Sequence, residues 1–394
     1  MSILARQVSS YLDRASWIRK MFEQGAVLKA RYGEDAVCDF SLGNPDLPPP
    51  AAVRAGLLEL AEQAGRPYAF GYMPNTGYPA AREALAVRLA QEQGVPVQPG
   101  DLIVTCGAAG GLNALFRAVL DPGDEVLGFA PFFVEYGFYV ENHGARFVPV
   151  PTRPLTFALD LAALEAAITA KTRIVLVNSP NNPTGQVYPL DELTALAQLL
   201  TRKSDEYGRP IFLVSDEPYR FLTYDGCQVP AMLPLYPYCV VVSSFSKNLS
   251  LAGERVGYVV AAPDMPDKGE LLAALALTNR ILGYVNAPSI GQLLAIRAIH
   301  EQVDVAVYAA RRTAMAGILQ DAGYVFTMPR GAFYFFPQAP GGDDVAFVHR
   351  LLAEHILAVP GSGFGCPGYF RLAFCCDEAV IRRAAPGFAR AIAG

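Results

Sequence analysis

Histidine is scarce in this chain: four in 394 residues, none at metal-ligand spacing. That argues against a zinc hydrolase or a histidine-based catalytic triad. Charge is scarce too. Only 18% of residues are charged, the net charge is −5, and no basic cluster stands out, so nucleic acid is not expected as the main partner. Long apolar runs are missing. No window holds about 18 apolar residues free of breakers, so no membrane span is expected. The opening "MSILARQVSSYLDR" lacks the apolar core of a signal peptide. The seven cysteines are scattered without a CxxC pair, which reads as reduced thiols in a cytoplasmic protein. Two of them, Cys375 and Cys376, follow "FRLAF" and are expected to be strand residues. Low-complexity linkers and internal repeats are absent as well.

What the chain does have is apolar mass: 52% of its residues are hydrophobic. At this length two domains are the natural expectation. From about residue 100, short Val/Ile/Leu runs ("DLIVTCG", "DEVLGFAP", "ARFVPVP", "TRIVLVNSP", "IFLVSDEPY", "CVVVSSFS", "RVGYVVAA") are interleaved with helical stretches such as "AAGGLNALFRAVL" and "LDELTALAQLLTRK". Near-continuous apolar strands separated by helices predict an α/β fold with a mostly parallel sheet covered on both faces. After about residue 288 long helical stretches precede short strand-like pieces ("GAFYFFP", "YFRLAFCC"), which predicts a smaller α+β domain. The expected division is a segment 1–45 packing with the small domain, a large domain 46–288, and a C-terminal domain 289–394.

Ligands of such sheets bind at the carboxyl ends of the strands, and the unusual polar residues all fall there: "CGAAGG" (106–111), "NSPNNPTG" (178–185), "SDEPYRF" (215–221) and "SSFSKN" (243–248). Each has an ordinary explanation alone: tight packing, a good turn, a helix cap, a solvated lysine. Together they describe one ligand. Gly107, Ala108 and Ala109 offer unhindered N–H groups at a helix start, suited to a phosphate. Ser244 and Ser246 add hydroxyl donors, and Arg255 adds a cation with bidentate geometry. Asp216 can hold a protonated ring nitrogen, and Tyr219 and Asn182 can donate to a phenolate oxygen. Phe133 offers a flat face for stacking. Lys247 is an amine able to form a Schiff base with an aldehyde. Phosphate, pyridine nitrogen, phenolic oxygen and aldehyde are the handles of pyridoxal 5′-phosphate.

Over nearly its full length, from "GNPD" through "YMPNTGYPAAREALA", "NSPNNPTG", "SDEPYRF" and "SFSKNLSLAGERVGY" to "FRLAF", the chain resembles the class I/II aminotransferases, fold-type I enzymes that include aspartate aminotransferase. The resemblance implies an L-amino acid:2-oxo acid aminotransferase working by ping-pong exchange through a pyridoxamine form. Lys247, Asp216 and Tyr219 would be its catalytic residues, and no metal would be used. Lys247 would carry the cofactor and then move the α-proton, while Asp216 keeps the ring nitrogen protonated. Arg371 matches the arginine that clamps the substrate α-carboxylate, helped by Asn182 and the backbone of Gly43. Tyr72 matches a tyrosine that reaches the cofactor phosphate of the neighbouring subunit, so a homodimer with shared sites is implied.

The chain departs from better-known members at Ala108 and Ala109, where some carry Ser, Thr or Lys. "GSGFG" (361–365) lacks the last glycine of a dinucleotide loop, with Cys366 in its place, and matches the family's loop before the carboxylate arginine. Arg280, in "NRILGYVNAPS", is a candidate reader of the distal carboxylate of aspartate or glutamate, acting in the partner's site; a solvated cation explains it equally well. Two rivals stay open at this point. One is a C–S β-lyase on the same scaffold. The other is a cofactor-binding regulator, disfavoured because only about 45 residues precede the large domain and they hold no helix-turn-helix.

Overall fold

The computed structural model describes residues 3–14 and 16–393. The first strand, β1 (Cys38–Asp39), precedes the sheet that organises the molecule. That sheet has seven strands: β2 (Leu102–Thr105), β3 (Glu125–Ala130), β4 (Arg146–Pro151), β5 (Thr172–Asn178), β6 (Phe212–Asp216), β7 (Cys239–Ser244) and β8 (Gly257–Ala261). Their spatial order is β2-β8-β7-β6-β5-β3-β4. All pairings are parallel except the two made by β8, which runs against both β7 and β2. Every residue of β2, β5–β8 is buried or nearly so, with Val240, Val241 and Val242 fully inside. Strands covered on both faces need apolar side chains at every position, which is why they read as runs rather than alternations.

Register decides what meets at the carboxyl edge. Asn178 lies opposite Asp216 on the β5/β6 pair, and Asp216 opposite Val242 on the β6/β7 pair. Ser244 pairs with Gly257, which also pairs with Thr105. The ends of β2, β5, β6, β7 and the start of β8 are thereby brought to one rim. The helix Gly107–Val119 leaves β2 at that rim and lies against β7 and β8. Gly257 permits the approach: a Cβ there would stand 2.5 Å from the carbonyl carbon of Gly107 and 2.6 Å from the oxygen of Ser243.

A second core is built from the strands β9 (Tyr334–Phe335), β10 (Ile356–Leu357) and β12 (Phe370–Ala373) with the helices Val305–Asp321, Asp344–Ala353, Glu378–Arg383 and Ala385–Ala393, while β11 (Val359–Pro360) packs its Val359 with Phe157, Phe336 and Phe364. The strands β9, β12 and β11 form an antiparallel sheet, and β1 pairs with β10. Buried aromatics fill this core, among them Phe333, Phe335, Phe347, Phe370, Phe374 and Phe388. The N-terminal segment contributes Met21, Cys38 and Phe40, all buried there. Arg311 and Asp46 form a two-pronged ion pair at 2.7 and 2.8 Å, tying the Pro-rich turn to the same body. The expected boundary at 288 falls just ahead of the helix Ser289–Arg297, whose Leu294 and Ala295 pack in the sheet core instead.

One expectation is corrected. Cys375 and Cys376 are not strand residues, because β12 ends at Ala373. The chain turns there toward the helix Glu378–Arg383, capped by the Asp377 side chain. The Cys375 thiol donates to the Leu42 carbonyl at 3.5 Å.

Candidate active site

A cavity of about 320 Å³ opens where the rim of the large sheet meets the second core. Nine of the residues singled out from sequence line it: Gly43, Ala108, Ala109, Phe133, Asn182, Asp216, Tyr219, Lys247 and Arg371.

Lys247 follows β7 and is almost fully enclosed. Its Nζ donates to the Gly43 carbonyl at 2.7 Å and lies 5.6 Å above the Phe333 ring. Burial, with Arg371 and Arg255 adding to it, lowers its pKa from 10.5 to about 8. A lysine in that range is a nucleophile and base near neutral pH.

Asp216 ends β6, with one carboxylate oxygen satisfied and the other not. The Tyr136 hydroxyl donates to Oδ2 at 2.5 Å, whereas Oδ1 is buried without a partner. Burial pushes its pKa up to about 7, the Tyr136 bond pulling the other way. A buried carboxylate oxygen without a donor is costly, and a protonated ring nitrogen would supply the missing one. The Asn178 side chain donates to the Asp216 carbonyl at 2.9 Å and accepts from the Asn182 amide at 2.7 Å, so β5 and β6 hold each other's ends.

Arg371, on β12, is a buried cation with no carboxylate paired to it among the described residues. Its Nη1 donates to Asn182 Oδ1 at 3.1 Å and its Nη2 to the Ser41 carbonyl at 2.6 Å; Nε has no partner. The guanidinium lies 4.9 Å from the Tyr334 ring and 4.8 Å from the Phe364 ring. Desolvation lowers its pKa. An enclosed cation held only by neutral acceptors is a site for an incoming anion.

The other end of the site fits a phosphate. The N–H groups of Gly107, Ala108 and Ala109 open the helix and have no acceptor one turn earlier within it. Gly107 has φ +69°, and a Cβ there would stand 2.7 Å from Arg255 Nη2; only glycine leaves the guanidinium that close to the helix start. Ser244 and Ser246 are buried beside it on the β7 end. Anion cradle, aromatic wall, unpartnered Asp216 oxygen and amine together fit pyridoxal 5′-phosphate.

Gly107, Ser244, Ser246 and Arg255 stand around the cavity without lining it. Tyr72 projects into solvent at 94% exposure, and Arg280 is exposed in the last turn of the helix Lys268–Ile281; neither lines the cavity. Sequence reasoning missed Tyr136, Asn178 and Tyr334. Tyr334 packs its hydroxyl against Gly43 and shares a 2.7 Å hydrogen bond with Tyr219. Burial raises the Tyr219 pKa well above its usual value, keeping that hydroxyl protonated. Asn178 carried a signal, as the last residue of an apolar run. Tyr136 carried none, sitting inside an ordinary helix, and Tyr334 was one aromatic among several in "GAFYFFP".

Fold and site define a pyridoxal 5′-phosphate-dependent enzyme of fold type I. Residues 35–388 match the model of the aminotransferase class I and II family, and the chain belongs to that family. It is 34% identical to the aspartate/prephenate aminotransferase of Thermus thermophilus, over 92% of each chain. It is 33% identical to the aspartate aminotransferase of Geobacillus stearothermophilus, over 97% of this chain and 96% of that one. An aminotransferase from Eubacterium rectale superposes with a TM-score of 0.95 at 39% identity, covering 99% and 98% of the two chains. The Thermus thermophilus aspartate aminotransferase with maleate superposes at 0.87 and 30% identity, covering 99% of this chain and 100% of that one. The enzyme is an aminotransferase and its cofactor is pyridoxal 5′-phosphate.

Proposed function

We propose that this aminotransferase moves the amino group of an L-amino acid to a 2-oxo acid at this cavity, with each role carried by a residue described above. The observation that carries the reading is Arg371, an enclosed guanidinium without a carboxylate partner, sharing one cavity with the Lys247 amine. Arg371 takes the substrate α-carboxylate, with Asn182 and the Gly43 backbone beside it. The bound cofactor supplies an aldehyde able to condense with amines and a ring able to accept the electron pair released at the substrate Cα. Lys247 would hold the cofactor through its amine and, once free, would take the Cα proton as a general base. Asp216, with its unpartnered oxygen, would keep a proton on the ring nitrogen, Tyr219 would donate to the phenolic oxygen, and Phe133 would supply a stacking face. The helix start at Gly107–Ala109, with Ser244, Ser246 and Arg255, holds the phosphate.

The working unit is a cytoplasmic homodimer in this reading. Seven free thiols suit a reducing compartment. Tyr72 is 94% exposed, Tyr68 and Phe70 of the same segment are exposed too, and Tyr72 would reach the partner's cofactor phosphate. An acidic amino donor is a second reading, favoured by the relatives' names. It needs a cation from outside this protomer's cavity, and Arg280 of a second copy is the candidate.

The test is a single turnover of holoenzyme with amino acid and no acceptor. Transamination yields one equivalent of 2-oxo acid, with the cofactor converted to its amine form and turnover halted until acceptor is added. Continuous release of a thiol, ammonia and pyruvate from an S-substituted cysteine, supplied as the amino acid without acceptor, would establish the β-lyase instead.

A further inference from the structure

The cavity holds one charged side chain that none of the roles above uses. Glu135 opens the helix Glu135–Glu141, two residues after the Phe133 ring, and lines the cavity with Leu42, Leu112 and Tyr139. It is half-buried and has no ion-pair or hydrogen-bond partner among the described residues. Burial raises its pKa, with no cation opposing the rise. A half-buried carboxylate without a counter-charge is retained at a cost, and here it lines the cavity that holds Lys247 and Arg371.

Among the described residues, two cations line the cavity, Lys247 and Arg371. Each is committed, one to the cofactor and one to the α-carboxylate. A second carboxylate on the substrate would therefore meet a like charge and, among the described residues, no free cation lining the cavity. A side-chain ammonium or guanidinium would meet an unpaired carboxylate against apolar walls, where a charge pair is only partly screened.

We infer that Glu135 is a specificity-determining residue that favours amino donors with a cationic side chain over acidic ones. The inference rests on the aminotransferase reading, with Arg371 fixing the α-carboxylate and Glu135 lining the same cavity.

The experiment measures kcat/KM of the holoenzyme for L-lysine, L-ornithine and L-aspartate with pyruvate as acceptor, in the wild type, Glu135→Gln and Glu135→Lys. The wild type should favour lysine or ornithine over aspartate. Glu135→Gln should lower the lysine-to-aspartate ratio by about 10-fold or more, the scale of losing one close charge partner, and Glu135→Lys should invert it. A ratio unchanged in both variants, or a wild type that favours aspartate by a margin Glu135→Lys does not move, overturns the assignment. No amino transfer to pyruvate from any of the three donors in any variant, with an S-substituted cysteine instead releasing ammonia and pyruvate without acceptor, would sink the aminotransferase reading itself and this one with it.

Discussion

At the scale of single residues the site is a set of groups held away from their ordinary protonation behaviour, and pH is the probe. Asp216 binds a proton in the folded apo-protein up to about 7, against 3.8 for an unperturbed carboxyl. Over that window the folded state holds a proton the unfolded chain has released, so this group makes apo-protein stability fall as pH rises from 3.8 to about 7. Its charged form is the one that can pair with a ring cation. Cofactor affinity, measured by titrating apo-protein, should therefore weaken as pH falls through about 7. Tyr136→Phe removes the donor at 2.5 Å that favours the carboxylate, so its affinity profile should begin to weaken at a higher pH; superimposed profiles would leave Tyr136 a packing residue. Asp216→Asn keeps the shape but cannot hold the ring nitrogen protonated, and kcat should drop at least about 10²-fold, the scale of one preorganised electrostatic partner. Near wild-type turnover would remove Asp216 from the role. Lys247 shifts the opposite way, with its neutral form rising above about 8. Covalent capture of cofactor by apo-protein should accelerate with pH up to that region and then level off. Borohydride should fix the pyridoxyl group on Lys247, and a peptide map showing it on another lysine would end this account.

At the scale of elements, the site exists because strand ends are aligned and one helix is seated close against them. Gly257 is where that seating is tightest, its missing Cβ leaving room for the backbone of Gly107 and Ser243. Gly257→Ala forces backbone rather than a flexible side chain to move, so it should destabilise the protein by about 1–3 kcal/mol. It should also weaken cofactor binding, because the helix start moves with it. Thermal melting and cofactor titration check both, and wild-type values in each would show that the helix seat is slack. The same geometry explains how much was legible in sequence. Each of β2 to β8 could be read from an apolar run, and the residues ending those runs could be read as convergent because parallel strands bring their carboxyl ends to one edge. Tyr136 and Tyr334 could not. They act through contacts with Asp216 and Tyr219 across 80 and 115 positions of chain, and neither local propensity nor spacing marks a residue whose partner is that remote. Cys375 and Cys376 were misread for a local reason: the apolar texture of "FRLAFCC" continues past the point where the backbone leaves the sheet to meet the Asp377 cap.

At the scale of the whole molecule, the protomer builds most of a site but leaves two candidate site residues outside it. Tyr72 is exposed at 94%, in a segment whose own packing is firm: Asn286 donates to the carbonyls of Met73 and Pro74 at 3.1 and 2.9 Å, and Asn75 donates to Val285 at 3.0 Å. A large aromatic presented to solvent from an anchored segment, with Tyr68, Phe70, Leu57 and Leu58 exposed nearby in sequence, is the character of an interface residue rather than of a loose loop. If Tyr72 completes the phosphate site of a second copy, each site in the dimer draws Lys247 from one chain and Tyr72 from the other. Tyr72→Phe and Lys247→Ala homodimers should then both be impaired, the second nearly inactive. A hybrid dimer contains one site with both defects and one site with neither, so mixing the two variants under conditions of subunit exchange should restore activity. At equal input and random exchange, half the dimers are hybrids with one intact site each, and recovery should approach about a quarter of the wild-type activity. The measurement is activity against mixing ratio, with exchange established independently by tagged subunits. No recovery above the sum of the two parents, once exchange is established, would place Tyr72 outside the catalytic unit and leave the cofactor phosphate to Arg255, the serines and the helix start of a single chain.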